Sequence, residues 1–538
     1  GYTVEVNGRA VDLPAQSPVA IKVKEGTLSI TVKDKALGIP DEQVVIQNPF
    51  LTRPFVNNTY VINPDRVALL YWVQTTYSKS PDPNAESLYR YHIGDNSYVF
   101  KGVDYVFKPF PEEISISSDS SRVKKERVDV VRDMSPQSMI AVISDDIGEE
   151  QAIAYAKREV EFGQNVDFNL NVLGLLMDHG AFVSYVRPRL EERPVNTQWH
   201  RVYQIMTERK SPDYSLEQEY RQYVAKDPDN AELLYLLGRV VEDRDEADRL
   251  FKEAAGKNPP SAYAYNAMAF ARLDAGDFQS ALELSRKAQQ LDPQNAQFSY
   301  WEEQALLALG SYDILIEQTR EKLKKSSHDV ELMTKETKLV TMQGHGDEAR
   351  EIVNRRCKAL SADMPPQVVE TIRTLLESVI YYCEGNLDKY VEATASLKSS
   401  RPQFGADLTS GKLDDADKFL SESKQVANAI PYFLVYLAAV KANRTEMADK
   451  QFQAGVAKLR EGDSEERLAA AYLSGEKAFD AKRMLRLAVR ADEKIVLLAV
   501  FGTKFRQARE TFFSRARTLN YDKDFPHYFL REIVGGLQ

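Results

Sequence analysis

Long apolar runs are missing from this 538-residue chain; the longest, Ile495 to Phe501, is far too short to cross a bilayer. Cysteine is nearly absent. Cys357 and Cys383 stand in separate helical stretches, read as small buried residues, and leave the redox compartment open. The six histidines, His92, His179, His200, His328, His345 and His527, are scattered without metal-ligand spacing. His345, in Gly344-His345-Gly346-Asp347, reads as a structural turn residue. There is no Gly-rich phosphate loop ending in Lys-Ser/Thr, no His-Glu-x-x-His, no Gly-x-Ser-x-Gly and no Cys-x-x-Cys. No catalytic residue, cofactor or metal is therefore assigned, and a non-enzyme is expected. A net charge of −10 argues against a chain built for nucleic acid.

Charge is unevenly placed. Residues 477–538 hold 13 Lys/Arg against 7 Asp/Glu, a net +6, so the preceding residues carry −16. Such asymmetry marks an interaction end. At helical steps there lie Lys482, Arg483, Arg486 and Arg490, interleaved with Met484, Leu485, Leu487 and Val489. One reading is a solvated face over a buried apolar one. The other is docking to an acidic protein or an anionic surface.

The first part of the chain reads as β. Val4 and Val6 alternate with polar residues, Asn7-Gly8 supplies a type I′ turn, and Ala10 to Leu13 returns. Ile21 and Val23, a Glu25-Gly26 turn, and Leu28, Ile30 and Val32 suggest a second hairpin. Further strands are expected at Tyr60–Ile62, Val67–Thr76, Leu88–Ile93, Ser97–Phe100 and Val103–Phe107. Short strands parted by turn residues favour a sandwich or small barrel. Ser117 to Lys125 reads as a loop, Met139–Ser144 as a strand, Glu149–Glu161 as a helix, and Arg187 to His200 as a linker. Asp145-Asp146 fits either a cation site or the acidic cap of the next helix. Asn57-Asn58-Thr59 and Asn443-Arg444-Thr445 match glycan acceptors. The chain begins at Gly1 rather than Met, which fits a processed mature chain or a trimmed one. With the β-rich start, this points to a bacterial periplasmic or extracellular setting over a cytoplasmic one.

From about Tyr203 onward, apolar residues recur at three- and four-residue steps, enough for six or seven helical hairpins. Gly276, Gly310 and Gly344 fall 34 residues apart between such stretches. In one unit Tyr265, Met268 and Ala269 precede a Gly276-Asp277-Phe278 turn, and Ala281, Ser285, Ala288 and Pro293 follow. The unit before it has Leu234, Leu237-Gly238, Ala247, Phe251, Ala254 and Pro259. Later units are looser: Gly385-Asn386-Leu387 to Pro402, Gly411 to Lys424, and Tyr432 to Leu459. These residues resemble the tetratricopeptide repeat family over roughly residues 215–460, about half of the chain. The resemblance implies stacked helix–turn–helix units that bind peptides or partner proteins on a concave face.

The expected fold class is thus α+β and multidomain, a β-rich, sandwich- or barrel-like region followed by an all-α, tetratricopeptide-like solenoid. The segments are 1–115 (β-rich), 126–200 (mixed α/β and linker), 203–405 (helical repeats) and 406–538 (degenerate repeats with a basic end). Aligning the best units places Tyr235, Arg239, Tyr263, Asn266, Phe270, Tyr300 and Gln304 on the concave face. Chaperone-binding members use Lys and Asn there, so a carboxylate clamp is not expected. The other reading is that these aromatics pack against a neighbouring domain. The function expected is a non-catalytic scaffold holding a protein or peptide partner in a larger assembly. The alternative is an enzyme or carbohydrate-binding protein with its site in the β-rich region and the repeats as an oligomerisation arm.

Overall fold

The computed structural model describes residues 3–11, 18–33, 39–47, 58–79, 88–132, 134–361, 364–395, 397, 401–422, 428–523 and 525–536. Leu13, Asn57 and Lys424 lie outside the described residues. The chain divides into two compact units, residues 1–206 and 207–538.

Among the described residues, the first unit opens with ten short strands: β1 (Val4–Val6), β2 (Arg9–Val11), β3 (Gly26–Val32), β4 (Glu42–Ile46), β5 (Asn58–Ile62), β6 (Leu70–Ser78), β7 (Leu88–His92), β8 (Ser97–Lys101), β9 (Tyr105–Val106) and β10 (Arg122–Val130). They form three small sheets, in the orders β2-β1-β3-β4, β7-β6-β10-β9 and β5-β8. All pairings are antiparallel except β9 with β10. The first hairpin is the one its turn demands: Asn7 and Gly8 have φ of 50° and 74°, the left-handed pair of a type I′ turn.

Several expectations are corrected. Ile21 and Val23 are exposed and outside any strand; β3 pairs instead with β1 and β4. The stretch read as a loop at Ser117–Lys125 enters β10, a nine-residue strand paired along its whole length with β6. Its charges hid it, and several of them have partners in the fold. Lys125 Nζ bonds Asp104 at 2.5 Å, and Glu126 accepts from Trp72 Nε1 and Gln74 Nε2, each at 3.1 Å. Met139–Ser144 is not a strand but part of the helix Pro136–Asp146, started by Ser135 accepting from Ser138 N–H at 3.1 Å. Asp145 and Asp146 end that helix, and Gly148 caps the next. The expected linker is occupied by the end of the helix His179–Leu190 and the start of Thr197–Lys210, with Trp199 and His200 buried. Helix Glu149–Glu161 is as expected; Ala152 and Tyr155 pack on Leu69 and Ile93 of the strand region.

In the second unit, seven helical hairpins follow the helix Leu216–Lys226 among the described residues. Their first helices are Ala231–Val240, Ala262–Asp274, Ser299–Ala308, Val330–Met342, Pro366–Cys383, Arg401–Thr409 and Ile430–Lys441. Their second helices are Arg244–Gly256, Phe278–Leu291, Tyr312–Lys325, Gly346–Leu360, Leu387–Thr394, Leu413–Glu422 and Thr445–Arg460. The repeated glycine is a helix C-cap. At Gly276, φ is 81°, Gly276 N–H donates to Leu273 O and Asp277 N–H to Arg272 O, both at 2.9 Å. That bond pair closes a helix and turns the chain back. The same pair recurs at Gly310, Gly344, Gly385 and Gly411, and at Asn443, the other residue that tolerates the left-handed region. Opposite the turns, facing helices approach because small residues meet rings: a Cβ at Gly238 would lie 2.6 Å from Phe251, and one at Gly455 2.6 Å from Phe433.

After Arg460 the hairpin pattern stops. Helices Ser464–Ser474, Ala481–Leu485, Ala491–Lys504, Arg509–Leu519 and His527–Gly536 form a C-terminal layer. Ala491–Lys504 carries the longest apolar run, and all seven residues from Ile495 to Phe501 are buried, as in a helix apolar all round. The layer lies on the first helices of the hairpins. Lys494 Nζ meets Asp274 at 3.0 Å, Arg515 donates to Asp274 O at 2.6 Å, and Tyr521 donates to Gln304 at 3.0 Å. Further along, Lys338 pairs with Asp522 at 2.8 Å, Phe529 N–H donates to Tyr382 Oη at 3.1 Å, and Lys441 donates to Glu532 O at 3.2 Å.

Burial of six large or medium apolar side chains and Ala499 in one helix, at about 1.5–3 kcal/mol for each large one, stabilises the layer by on the order of 10 kcal/mol. Exposed ion pairs contribute little beside that. The layer is thus a fixed part of the unit, held chiefly by apolar burial.

Candidate functional site

The seven residues expected to line a groove separate into three groups. Tyr235 and Tyr263 are core. Their rings stack 5.4 Å apart, flanked by Phe251 and Phe298, and Tyr263 Oη accepts from Asn295 Nδ2 at 2.9 Å. Arg239 and Gln304 are used within the chain. Arg239 acts on the half-buried Glu208, whose carboxyl burial pushes up and Arg239 pulls down, and Gln304 receives the Tyr521 hydroxyl. Asn266, Phe270 and Tyr300 remain at the surface.

Those three form one patch on the first helices Ala262–Asp274 and Ser299–Ala308. Asn266 and Phe270 are four residues apart and share a face. Phe270 lies 5.0 Å from Trp301, and Trp301 4.7 Å edge-on from Tyr300, which is 48% exposed. Asn266 Oδ1 is buried without a hydrogen-bond partner, an omission that costs about 1–3 kcal/mol in a closed structure. The Tyr300 hydroxyl is raised by partial burial and by Asp492 and Glu303, with Arg490 opposing. Glu303 is itself paired with Lys335. Trp301 was missed because aligning the repeats admitted only one residue of the Tyr300-Trp301 pair to the face. The adjacency itself was legible.

The four basic residues also divide. Lys482 bonds Asp245 at 2.7 Å; Arg486 bonds Asp245 at 2.5 Å and Asp248 at 2.8 Å. Asp245 is held below its ordinary value by Lys482 and Arg486. These acids sit in the first two turns of Arg244–Gly256, a helix start that favours negative charge. Arg483 bonds the buried Glu465 at 2.5 Å, and Arg244 and Ala488 N–H bond the same carboxylate. Burial alone would raise Glu465, but these donors hold it at about 2. Arg490 faces outward, 3.7 Å from Asp492 and beside Tyr300. So all four are engaged by the chain's own acidic residues, and Arg490 also borders the aromatic patch.

Among the described residues, no three His, Cys, Asp or Glu side chains are grouped so as to hold a metal ion, and no helix is long and apolar enough to cross a membrane. Cys357 and Cys383 are both buried.

No family model matches the sequence, and no curated protein does. Among solved structures, a chain from the structure of Naa15/Naa10 bound to HypK-THB is similar at 15% identity, over 69% of this chain, with a TM-score of 0.27. That score is too low to establish a shared fold, and the match spans 51% of the other chain, about half its length.

Proposed function

We propose that residues 207–538 are a tetratricopeptide-type solenoid acting as a non-catalytic scaffold, which holds a protein partner in a larger assembly. The observation that carries this is the patch of Phe270, Tyr300 and Trp301 around the unpartnered Asn266 carbonyl, on hairpin helices otherwise covered by the C-terminal layer. An exposed Tyr300 and half-buried Phe270 and Trp301 beside a buried, unanswered acceptor suit a partner segment with an apolar side chain next to a hydrogen-bond donor. The β-rich region serves as a second contact module in this reading, in a periplasmic or extracellular setting.

The test is native mass spectrometry of the protein purified from its source, followed by titration of the partner. Phe270→Ala with Tyr300→Ala is expected to weaken binding at least tenfold while leaving the circular dichroism spectrum unchanged. Unaltered affinity in the folded double variant would remove the patch from the account, and a monomer without a stoichiometric partner would remove the scaffold reading.

A further inference from the structure

The segment that enters β3 has the sequence of a strand and belongs to none. Val19, Ile21 and Val23 alternate with Ala20, Lys22 and Lys24, and the backbone over residues 18–24 runs without a turn or bend. Extended backbone puts the three β-branched side chains on one face and the lysines on the other. Those three are exposed, at 40%, 45% and 41%. Their composition is that of a half-buried strand, and left uncovered it invites pairing.

Pairing within the chain is closed off. β3 already has β1 on one side and β4 on the other, and the edges of that sheet are β2 and β4. Glu25 alone separates Lys24 from Gly26, which opens β3 opposite Ile46 of β4. A strand added outside β4 would lie two spacings, about 10 Å, from β3. Two peptide units span at most about 7 Å, and the outer side of β2 is one spacing further away. The segment therefore needs an edge supplied by another molecule.

The chain's own β4 fits that need in length, pattern and charge. Among the described residues no strand pairs with its outer side, over the five residues Glu42–Ile46. The edge stops at Gln47, whose N–H donates to Tyr60 Oη at 2.9 Å and whose carbonyl accepts from Asn58 Nδ2 at 3.1 Å. Residues 19–23 match that length. Set antiparallel with Val19 opposite Ile46, the segment places Ile21 opposite Val44, so both extend the apolar face of Val44 and Ile46. The same register sets Lys24 opposite Asp41, and Ala20 opposite Val45, which is 51% exposed. On the β2 edge the lysines would instead meet the exposed Arg9, a like charge.

We propose that two copies of this chain pair by reciprocal strand addition, residues 19–23 of each copy joining the β4 edge of the other. The pairing is independent of the scaffold reading, and its test does not involve the aromatic patch. Sedimentation velocity of the full chain over a concentration series is expected to show a dimer that dissociates on dilution. Ile21→Asp with Val23→Asp, which sets charge against Val44 and Glu42, is expected to raise its dissociation constant at least tenfold. The far-UV circular dichroism spectrum stays unchanged, since both residues are exposed in the single chain. Lys24→Asp is expected to weaken the dimer, and Asp41→Lys in the same chain to restore it. An Ala20→Cys chain mixed with a Val45→Cys chain is expected to form a covalent dimer under mild oxidation, whereas one mixed with an Ala10→Cys chain, on β2, is not. A monomer at every concentration would overturn the proposal, and so would a dimer indifferent to the two Asp substitutions. Cross-linking through Ala10→Cys rather than Val45→Cys would overturn the choice of edge.

Discussion

Glu493→Gln alters a carboxyl that the fold leaves unanswered at one oxygen. Glu493 is 3% exposed in the first turn of Ala491–Lys504, and its Oε1 has no hydrogen-bond partner. Burial, then Glu466, Asp463 and Asp492, push its pKa up to about 8, with only Arg490 opposing. A carboxyl raised in this way folds at no electrostatic cost while both states hold the proton, below its ordinary value of 4.5. Above that, the unfolded chain ionises freely and the folded chain does not. Each pH unit between the two values then removes about 1.4 kcal/mol of stability, roughly 3 kcal/mol by pH 7 and a ceiling of ~5 kcal/mol above pH 8. Gln cannot ionise, so the variant escapes this loss. Urea denaturation of wild type and variant, followed by far-UV circular dichroism at pH 5, 7 and 8.5, measures the difference. It is expected to be small at pH 5 and to grow in the variant's favour with pH. A gain that does not change with pH, or a variant less stable than wild type at pH 8.5, would refute the reasoning.

Glu465 has the opposite sign. Its pKa is depressed to about 2, so its contribution is present above pH 4.5 and is lost as pH falls toward 2. Glu465→Gln is expected to cost about 3–5 kcal/mol at pH 7, by leaving Arg244 and Arg483 short of their carboxylate, with the deficit shrinking in acid melts. The buried pair of Lys494 and Asp274 predicts strong non-additivity. Asp274→Ala or Lys494→Ala alone strands a charge and costs about 3–5 kcal/mol, whereas the double variant Asp274→Leu with Lys494→Met recovers much of the loss in urea melts. Gly276→Ala combines a left-handed φ with a Cβ 2.7 Å from Thr518 Cγ2, whereas Gly310→Ala, also left-handed, meets nothing within 4 Å. Gly276→Ala should therefore destabilise more than the roughly 1 kcal/mol expected at Gly310, and Thr518→Ser should recover part of the difference in thermal melts.

Much of the hairpin series was legible because its signals are local. A left-handed cap, an apolar stripe and a small residue facing a ring all lie within one repeat, as at Gly276, Ala281 and Gly238. The looser spacing after Gly344 has a local cause too, since the cap persists at Gly385 and Gly411 and passes to Asn443. β10 was not legible, because its charges resemble a loop until Asp104, Trp72 and Gln74 are brought opposite them by pairing with distant strands. The run Met139–Ser144 was ambiguous between strand and helix, as a short apolar stretch is; the Ser135 cap and Pro136 decide for helix.

The sequence by itself determined the helical hairpins, their turns, and which side of each helix is apolar, since these depend on residues a few positions apart. It also determined that the C-terminal end is basic and the remainder acidic. Only the tertiary structure decided where those two charges meet. Lys482 and Arg486 find Asp245 and Asp248 more than two hundred residues earlier in the chain, and Lys494 finds Asp274 beneath a helix that is apolar all round. That closure engages Gln304, while packing between neighbouring repeats buries Tyr235 and Tyr263 and leaves Asn266, Phe270 and Tyr300 at the surface. Periodicity shows that a helix has an apolar face. Which distant element covers that face depends on contacts that no local pattern records.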